Sequence, residues 1–479
     1  MSKRVKPRLS RGLRDLQADQ LLARQQMIDK IRGVYELYGF VPLDTPAVEF
    51  LDVLRGSNAG SEAQESVFTV SNPDDEKLGL RFDLTVPLAR VVAQYRDLPR
   101  PFRRYQVASV WRFDKPGPGR FREFIQFDLD SVGVVSEIAD TEIIAGMCDT
   151  LSALGVDRYR VRFSSRALLN LLLSYAEIPP GGGVDVFRVL DKLDKVGAEK
   201  VRLELTTGYE DESGAPIDGL GLSAAQVDRI ERFLAIRADR RDEVIAQLRE
   251  LFASLDGAAA EIDTVARISG QLAALGYDDD RVALDLSIAR GLAYYTGPVF
   301  EATLLDAPQF GSVFGGGRYD GLVTRFLGEK VPATGASIGV DRLLEALLAL
   351  DRLKRRKATA KVLVTRIDKD LTDQYLAITW ELRRAGISAE LYLGGGRNIG
   401  KQLKYADQCE VPLALLVGSD EHERGVVTLK DMDLGRQLAA GVETRAEWLK
   451  ERAGQLEVPR AELVARVREL LARIDSTES

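Results

Sequence analysis

Histidine occurs once among the 479 residues, as His422, and cysteine twice, as Cys148 and Cys409. A single imidazole excludes mechanisms that need a pair, such as a two-histidine zinc site or a histidine-based two-proton relay. Two cysteines so distant in sequence support neither a disulfide framework nor a cysteine metal cluster, and they fit a reducing compartment. No apolar run approaches the roughly 20 residues that a bilayer demands, and the basic opening stretch up to Asp15 lacks the apolar core of a secretory signal. A cytoplasmic protein with no membrane partner is therefore expected. Neither sign of charge dominates: 66 Lys and Arg face 73 Asp and Glu, for a net charge of -7. That argues against indiscriminate coating of nucleic acid but leaves room for a local basic surface. What is present, 45% hydrophobic and 29% charged residues, describes a globular chain with room for about three domains.

Hydrophobic spacing predicts a helix from 17 to about 38, stopped by Gly39. Leu80 to Leu84 and Tyr105 to Phe113 read as strands. Phe121 to Leu129 resumes the alternation, so residues 105 to 131 form an antiparallel hairpin around a glycine-proline loop. Ile138 to Leu154 reads as a helix and Val156 to Ser164 as the strand after it. From about 184 to 275 the chain turns helical and charge-rich, a separate insert by composition. Strand patterns return at Ala283 to Ile288 and Val299 to Leu305, followed by the glycine cluster Gly311 to Gly321 and a helix from Ile338 to Leu350. Strand and helix alternate from Lys361 to Gly418, a compact α/β domain. Leu463, Val467, Leu470, Leu471 and Ile474 then line one helical stripe.

The densest chemical signal is Phe102 to Glu123, where Arg103, Arg104, Arg112, Lys115, Arg120 and Arg122 face only Asp114 and Glu123. The guanidinium fork matches phosphate oxygens; a solvated loop with surface ion pairs fits the same spacing. The segment Arg290 to Gly297, with Tyr294 and Tyr295, suits close backbone approach to a ligand or an ordinary turn with a buried tyrosine. Gly315-Gly316-Gly317-Arg318 lacks the lysine and hydroxyl of a P-loop and opens no dinucleotide-binding unit. It fits either a flat backbone under a ligand or tight packing. Asp341-Arg342 places a further arginine at a helix start. Asp83 and Asp130, on separate predicted strands near Thr85 and Gln126, suit the grip of an ammonium group, although each singly also fits a surface carboxylate. Glu123 suits an adenine amino group or the neutralisation of its basic neighbours.

In this order the pieces have company. The opening Arg11 to Asp15 with Tyr38 to Pro46, then Arg112 to Gln126 and Gly335 to Arg342, resemble the three motifs of the histidyl-tRNA synthetases, a class II aminoacyl-tRNA synthetase family, and Arg290 to Glu301 resembles that family's histidine-specific segment, over nearly the whole chain. The resemblance implies an α+β fold. A class II catalytic domain on an antiparallel sheet (1–180 and 276–352) would carry a helical insertion (181–275), an α/β anticodon-binding domain (360–450) and a helical extension (451–479). It implies ATP-dependent activation of L-histidine and transfer to the 3′-terminal adenosine of histidine tRNA by a homodimer. Mg²⁺ would be held mostly by ATP phosphates, with no metal site on the protein. By resemblance, Arg112 and Arg290 are catalytic, and Arg112, Glu123 and Arg342 bind ATP. Asp83, Thr85 and Gln126 take the substrate amino group, while Asp130, Tyr294 and Tyr295 surround the imidazole. Lys115, Arg120, Lys401 and Lys404 contact tRNA. The chain departs from the family at Ala293, where an acidic residue is common, and at Lys115 and Gly117 in the acceptor-reading loop. Competing expectations are an inactive paralogue serving as the regulatory subunit of ATP phosphoribosyltransferase, an RNA-binding protein built from a dead synthetase, and a synthetase for proline, threonine or glycine.

Overall fold

The computed structural model describes residues 5–56, 67–115, 121–211, 214–288, 295–353, 355–432, 434 and 454–477. The chain divides into two compact units, Met1–Asp15 with Arg24–Leu353, and Leu16–Ala23 with Lys354–Ser479.

The first unit is built on eight strands. In spatial order they are Val41–Pro42, Phe102–Trp111, Glu123–Val132, Ala333–Gly339, Ser312–Arg318, Pro298–Leu304, Tyr159–Ser165 and Val282–Leu284. Only the two outermost pairings are parallel; the five between them are antiparallel. Side chains alternate across a strand, so the registers decide which residues share a face. Tyr105, Phe127, Leu129, Ala336, Ile338, Phe314, Phe300 and Phe163 fall on one face, and all are buried. The helix Ile138–Ala153, buried along most of its length, covers it. On the opposite face the same pairings align Arg104 with Asp130 and Gly335, and Gln106 with Asp128 and Ser337. One face is apolar core and the other is polar.

Three expectations need correction. Leu80 to Leu84 is not a strand: pairing ends at Leu80, and a helix runs over Thr85–Gln94 with Pro87 in its first turn. Proline is tolerated there because the first helical N–H groups have no intrahelical acceptor. The Asp83 carboxylate takes the Val86 N–H, 3.0 Å away, in place of a missing acceptor. Strand Ala333–Gly339 includes Ile338, so the next helix starts at Val340. The helical segment from 184 to 275 also holds a two-stranded hairpin, Gly208–Glu210 with Pro216–Asp218.

The second unit has a five-stranded sheet in the order Ala389–Leu391, Val362–Val364, Leu413–Leu416, Val426–Asp431, Gln455–Pro459. The first three strands run parallel and the last two antiparallel. Helices Thr372–Arg384 and Leu463–Thr477 pack their apolar stripes into its core.

Candidate active site

The polar face of the large sheet has a floor of buried charge. Arg104 is fully buried, with Nη2 2.9 Å from Asp130, 3.9 Å from Asp128 and 3.1 Å from the Leu84 carbonyl. Asp83, Asp128 and Asp130 are 8%, 2% and 2% exposed, so three carboxyl groups crowd one guanidinium. Burial is the main cause that raises all three above the ordinary carboxylate range. At Asp130 the rise is opposed by Arg104 and by the Tyr319 hydroxyl, which donates to its Oδ1. At Asp83 the Val86 N–H and then Arg112 oppose it. Asp128 is pushed up to about 7, because the Asp130 charge adds to burial against the pull of Arg104.

Gln126, on the same face, donates through Nε2 to the Ser337 hydroxyl at 2.7 Å while its buried Oε1 accepts no hydrogen bond. Glycines give this floor its depth. A Cβ on Gly335 would lie 2.0 Å from Asp130 Oδ1, and one on Gly317 would lie 2.8 Å from the Tyr295 ring. One on Gly316, facing the other way, would meet the Gly335 carbonyl at 2.2 Å. The glycine cluster thus makes room for Asp130, for Tyr295 and for a close strand pairing. Arg318 leaves the pocket entirely and binds buried Asp140 at 2.6 Å. Glu301, opposite Gly315 on the polar face, is held by Arg162, which also reaches Asp285 at 3.0 Å.

Two of the arginines expected around a nucleotide lie toward one end of the sheet, where Ala108, Gln126 and Gly339 align across three strands. Arg112 follows the end of its strand, donates Nε to the Phe82 carbonyl at 3.0 Å and stacks toward Phe124 with 5.3 Å to the ring centre. Arg342, in the first turn of Val340–Ala349, donates to the Ser312 carbonyl at 2.8 Å. Its neighbour Asp341 accepts from the Ile125 N–H and from Arg14, both at 2.9 Å, which ties the helix start to the hairpin. Thr85 opens the helix beside Asp83. Glu123 is the exposed first residue of its strand, and Lys115 is exposed. Arg290, Tyr294 and Arg120 lie outside the described residues.

The expected basic surface at 102–123 is divided. Arg104 is core. Arg103, one residue away and on the other face, pairs with Glu142 at 2.7 Å over the Phe40 ring. Arg122 donates to the Asp114 carbonyl over Phe113. Strand alternation separates residues that composition had pooled. Sequence reasoning also passed over Asp128, Ser337 and Tyr319. Asp128 had a visible signal, since it falls between Gln126 and Asp130 in a period of two.

In the second unit, Asn398 caps helix Ile399–Gln408 by accepting the Lys401 N–H at 3.1 Å. Buried Gln402 pins the helix by exchanging hydrogen bonds with the Arg366 backbone, both at 2.7 Å. Lys401 and Lys404 are thereby exposed. His422 is an exposed residue of the short helix Ser419–Glu423.

A family model described as Histidyl-tRNA synthetase matches residues 12–343, and one described as Anticodon binding domain matches residues 361–452. The Histidine–tRNA ligase of Cereibacter sphaeroides is 46% identical over 491 residues, covering 98% of this chain and 99% of its own. That of Paracoccus denitrificans is 46% identical over 487 residues, covering 98% of each. Among solved structures, the histidyl-tRNA synthetase from Nostoc sp. PCC 7120 is similar with a TM-score of 0.79 at 30% identity, over 97% of this chain and 100% of its own.

Proposed function

The chain belongs to the histidyl-tRNA synthetase family, and from that premise we propose that it activates L-histidine with ATP and transfers it to the 3′-terminal adenosine of histidine tRNA. The observation that carries this reading is the buried acidic floor: Gln126 and Asp130 share one polar face with Arg104, and buried Asp83 joins them from the loop ahead of Thr85–Gln94, beside Arg112. Such a floor accepts hydrogen bonds and negative charge is in surplus, which suits a substrate with an ammonium group and a ring N–H.

Asp83, Thr85 and Gln126 hold the α-ammonium. Asp130, steadied by Arg104 and Tyr319 yet retaining lone pairs, reads the imidazole together with Tyr294 and Tyr295. Arg112, Arg290 and Arg342 surround the phosphates, and Glu123 meets the adenine amino group. As the histidine carboxylate attacks the α-phosphorus and pyrophosphate departs, these guanidinium groups offset the developing charge; position and field do the work, with no protein nucleophile. Mg²⁺ enters on the ATP phosphates, as its preference for oxygen ligands and retained water favours. Residues 1–180 with 276–352 serve as the catalytic domain, 181–275 as its insertion, and 360–450 with 451–479 as the tRNA-binding part. There Lys401 and Lys404 meet the RNA, and Lys115 and Arg120 approach the acceptor end.

A homodimer in the cytoplasm completes the proposal. Leu37, Val41, Val48 and Phe50 are exposed apolar residues on the N-terminal helix, at the edge strand and just beyond, which supports a partner surface there. The inactive-paralogue alternative loses to the anticodon-binding match at 361–452 and to ligase relatives aligned along 98% of this chain. Purified protein with Mg²⁺ should exchange pyrophosphate into ATP only when histidine is present. Exchange that ignores histidine, or none at all, overturns the assignment.

A further inference from the structure

Asp128 sits between Gln126 and Asp130 on the polar face, 2% exposed, with Oδ1 accepting no hydrogen bond. The groups around it come from every neighbouring element. Arg104 and Gln106 lie on the strand to one side, and Ser337, whose hydroxyl bonds Asp128, on the other. Asp130 lies on its own strand, and Asp83 faces it from the loop ahead of the Thr85–Gln94 helix. Through the sheet lies Tyr35 of the N-terminal helix. Among the described residues, Arg104 is the one cation within 4 Å of either strand carboxylate, and it lies nearer Asp130, at 2.9 Å against 3.9 Å. Arg112 and Arg325 act on Asp83 instead.

Two carboxylates on alternate positions of a strand cannot both ionise cheaply beside one guanidinium in a dry site. Asp130 has the better partners, so the proton stays on Asp128 in the free protein. An arriving ammonium group adds the missing positive charge.

We propose that Asp128 is a further substrate-binding residue that adjusts the charge of the pocket floor, releasing its carboxyl proton to solvent when the substrate ammonium binds and pairing with it as a carboxylate. The substrate keeps its own ammonium protons, so where Asp128 is still protonated one proton leaves per molecule bound. This rests on the histidine-binding reading above.

The test uses calorimetric binding in buffers of differing ionisation enthalpy, with triazolylalanine as ligand because its ring stays neutral where imidazole would titrate. For the wild type, the dissociation constant should fall about tenfold between about pH 6 and about pH 8, with nearly one proton released at the lower pH and almost none at the higher. Asp128→Asn should change by less than about twofold over that range and release no proton, since it cannot ionise. In pyrophosphate exchange the variant should raise KM at the higher pH and leave kcat close to wild type. If both proteins release the same number of protons, or if the variant loses kcat equally at every pH, the proposal fails. Should the variant fold poorly, the wild-type proton count alone decides: no release near pH 6 overturns it. Failure of the wild type to bind either histidine or triazolylalanine overturns the functional reading itself, a distinct result.

Discussion

The floor of the large sheet and the outer face of helix Ile399–Gln408 both carry charge, and burial makes them different devices. Arg104 has no exposure, and its ion pair with Asp130 is sealed from water. Its energy depends on geometry and hardly on salt. Lys401 and Lys404 are exposed around a buried anchor, Gln402. Exposed cations attract a polyanion at a distance and lose that pull as salt is added. The first arrangement suits the choice of a small molecule by position; the second suits a large partner whose phosphates repeat.

The contrast breaks most severely at Arg104. Replacing it with methionine leaves Asp128 and Asp130 without their cation, at an expected cost of about 3–5 kcal/mol in urea denaturation. A loss under about 1 kcal/mol would show that the floor tolerates uncompensated charge. Next comes Gly335→Ala. Its Cβ would lie 2.0 Å from Asp130 Oδ1 and 2.6 Å from the Leu129 carbonyl, so the carboxylate must move. A shift of about 1 Å should cost roughly 100-fold in kcat/KM for histidine, read by pyrophosphate exchange.

The third effect is one of sign. Asp128 is raised in the fold, so folding takes up protons at that site between its unfolded and folded values; its contribution to stability declines as pH climbs toward about 7. Asp128→Asn should therefore stabilise the ligand-free protein above neutral pH, by roughly 2 kcal/mol, and lose that advantage below about pH 4. Denaturation at both pH values checks this, and an advantage that persists in acid would contradict it. The smallest change is expected on the helix. Lys401→Ala with Lys404→Ala should raise KM for tRNA about tenfold, flatten its salt dependence and leave pyrophosphate exchange untouched.

Part of the candidate site's layout could be read along the chain. Gln126 and Asp130 fall on one strand at a period of two, and Arg112 stands just before a glycine-proline loop, while their proposed roles came from the family resemblance. Helix Ala18–Leu37 follows from apolar spacing and Gly39, whose φ of 76° suits a residue without a side chain. Other features resisted. Asp83 looked like a strand residue because Leu80 to Leu84 alternates, whereas the structure uses its carboxylate to satisfy the Val86 N–H at a helix start. The strands Val426–Asp431 and Gln455–Pro459, which complete the second sheet, drew no expectation either. Gln455–Pro459 is a five-residue edge strand with one buried residue, too little to show a period, and Val426–Asp431 is paired on both sides only because that edge strand is in place.

The sequence by itself determined the family, the motif order and the period that puts Gln126, Asp128 and Asp130 on one side of a strand. Those properties are local or cumulative along the chain. Only the tertiary structure decided that Arg104 lies under Asp130 instead of on a basic surface, that Tyr319 closes on the same carboxylate from 189 residues away, and that Gly335 stands aside for it. The first and last follow from strand register, in which a slip of one residue would turn every side chain to the other face, and the second from the turn just past the strand Ser312–Arg318. A carboxylate's charge is then set by neighbours that the chain order does not reveal.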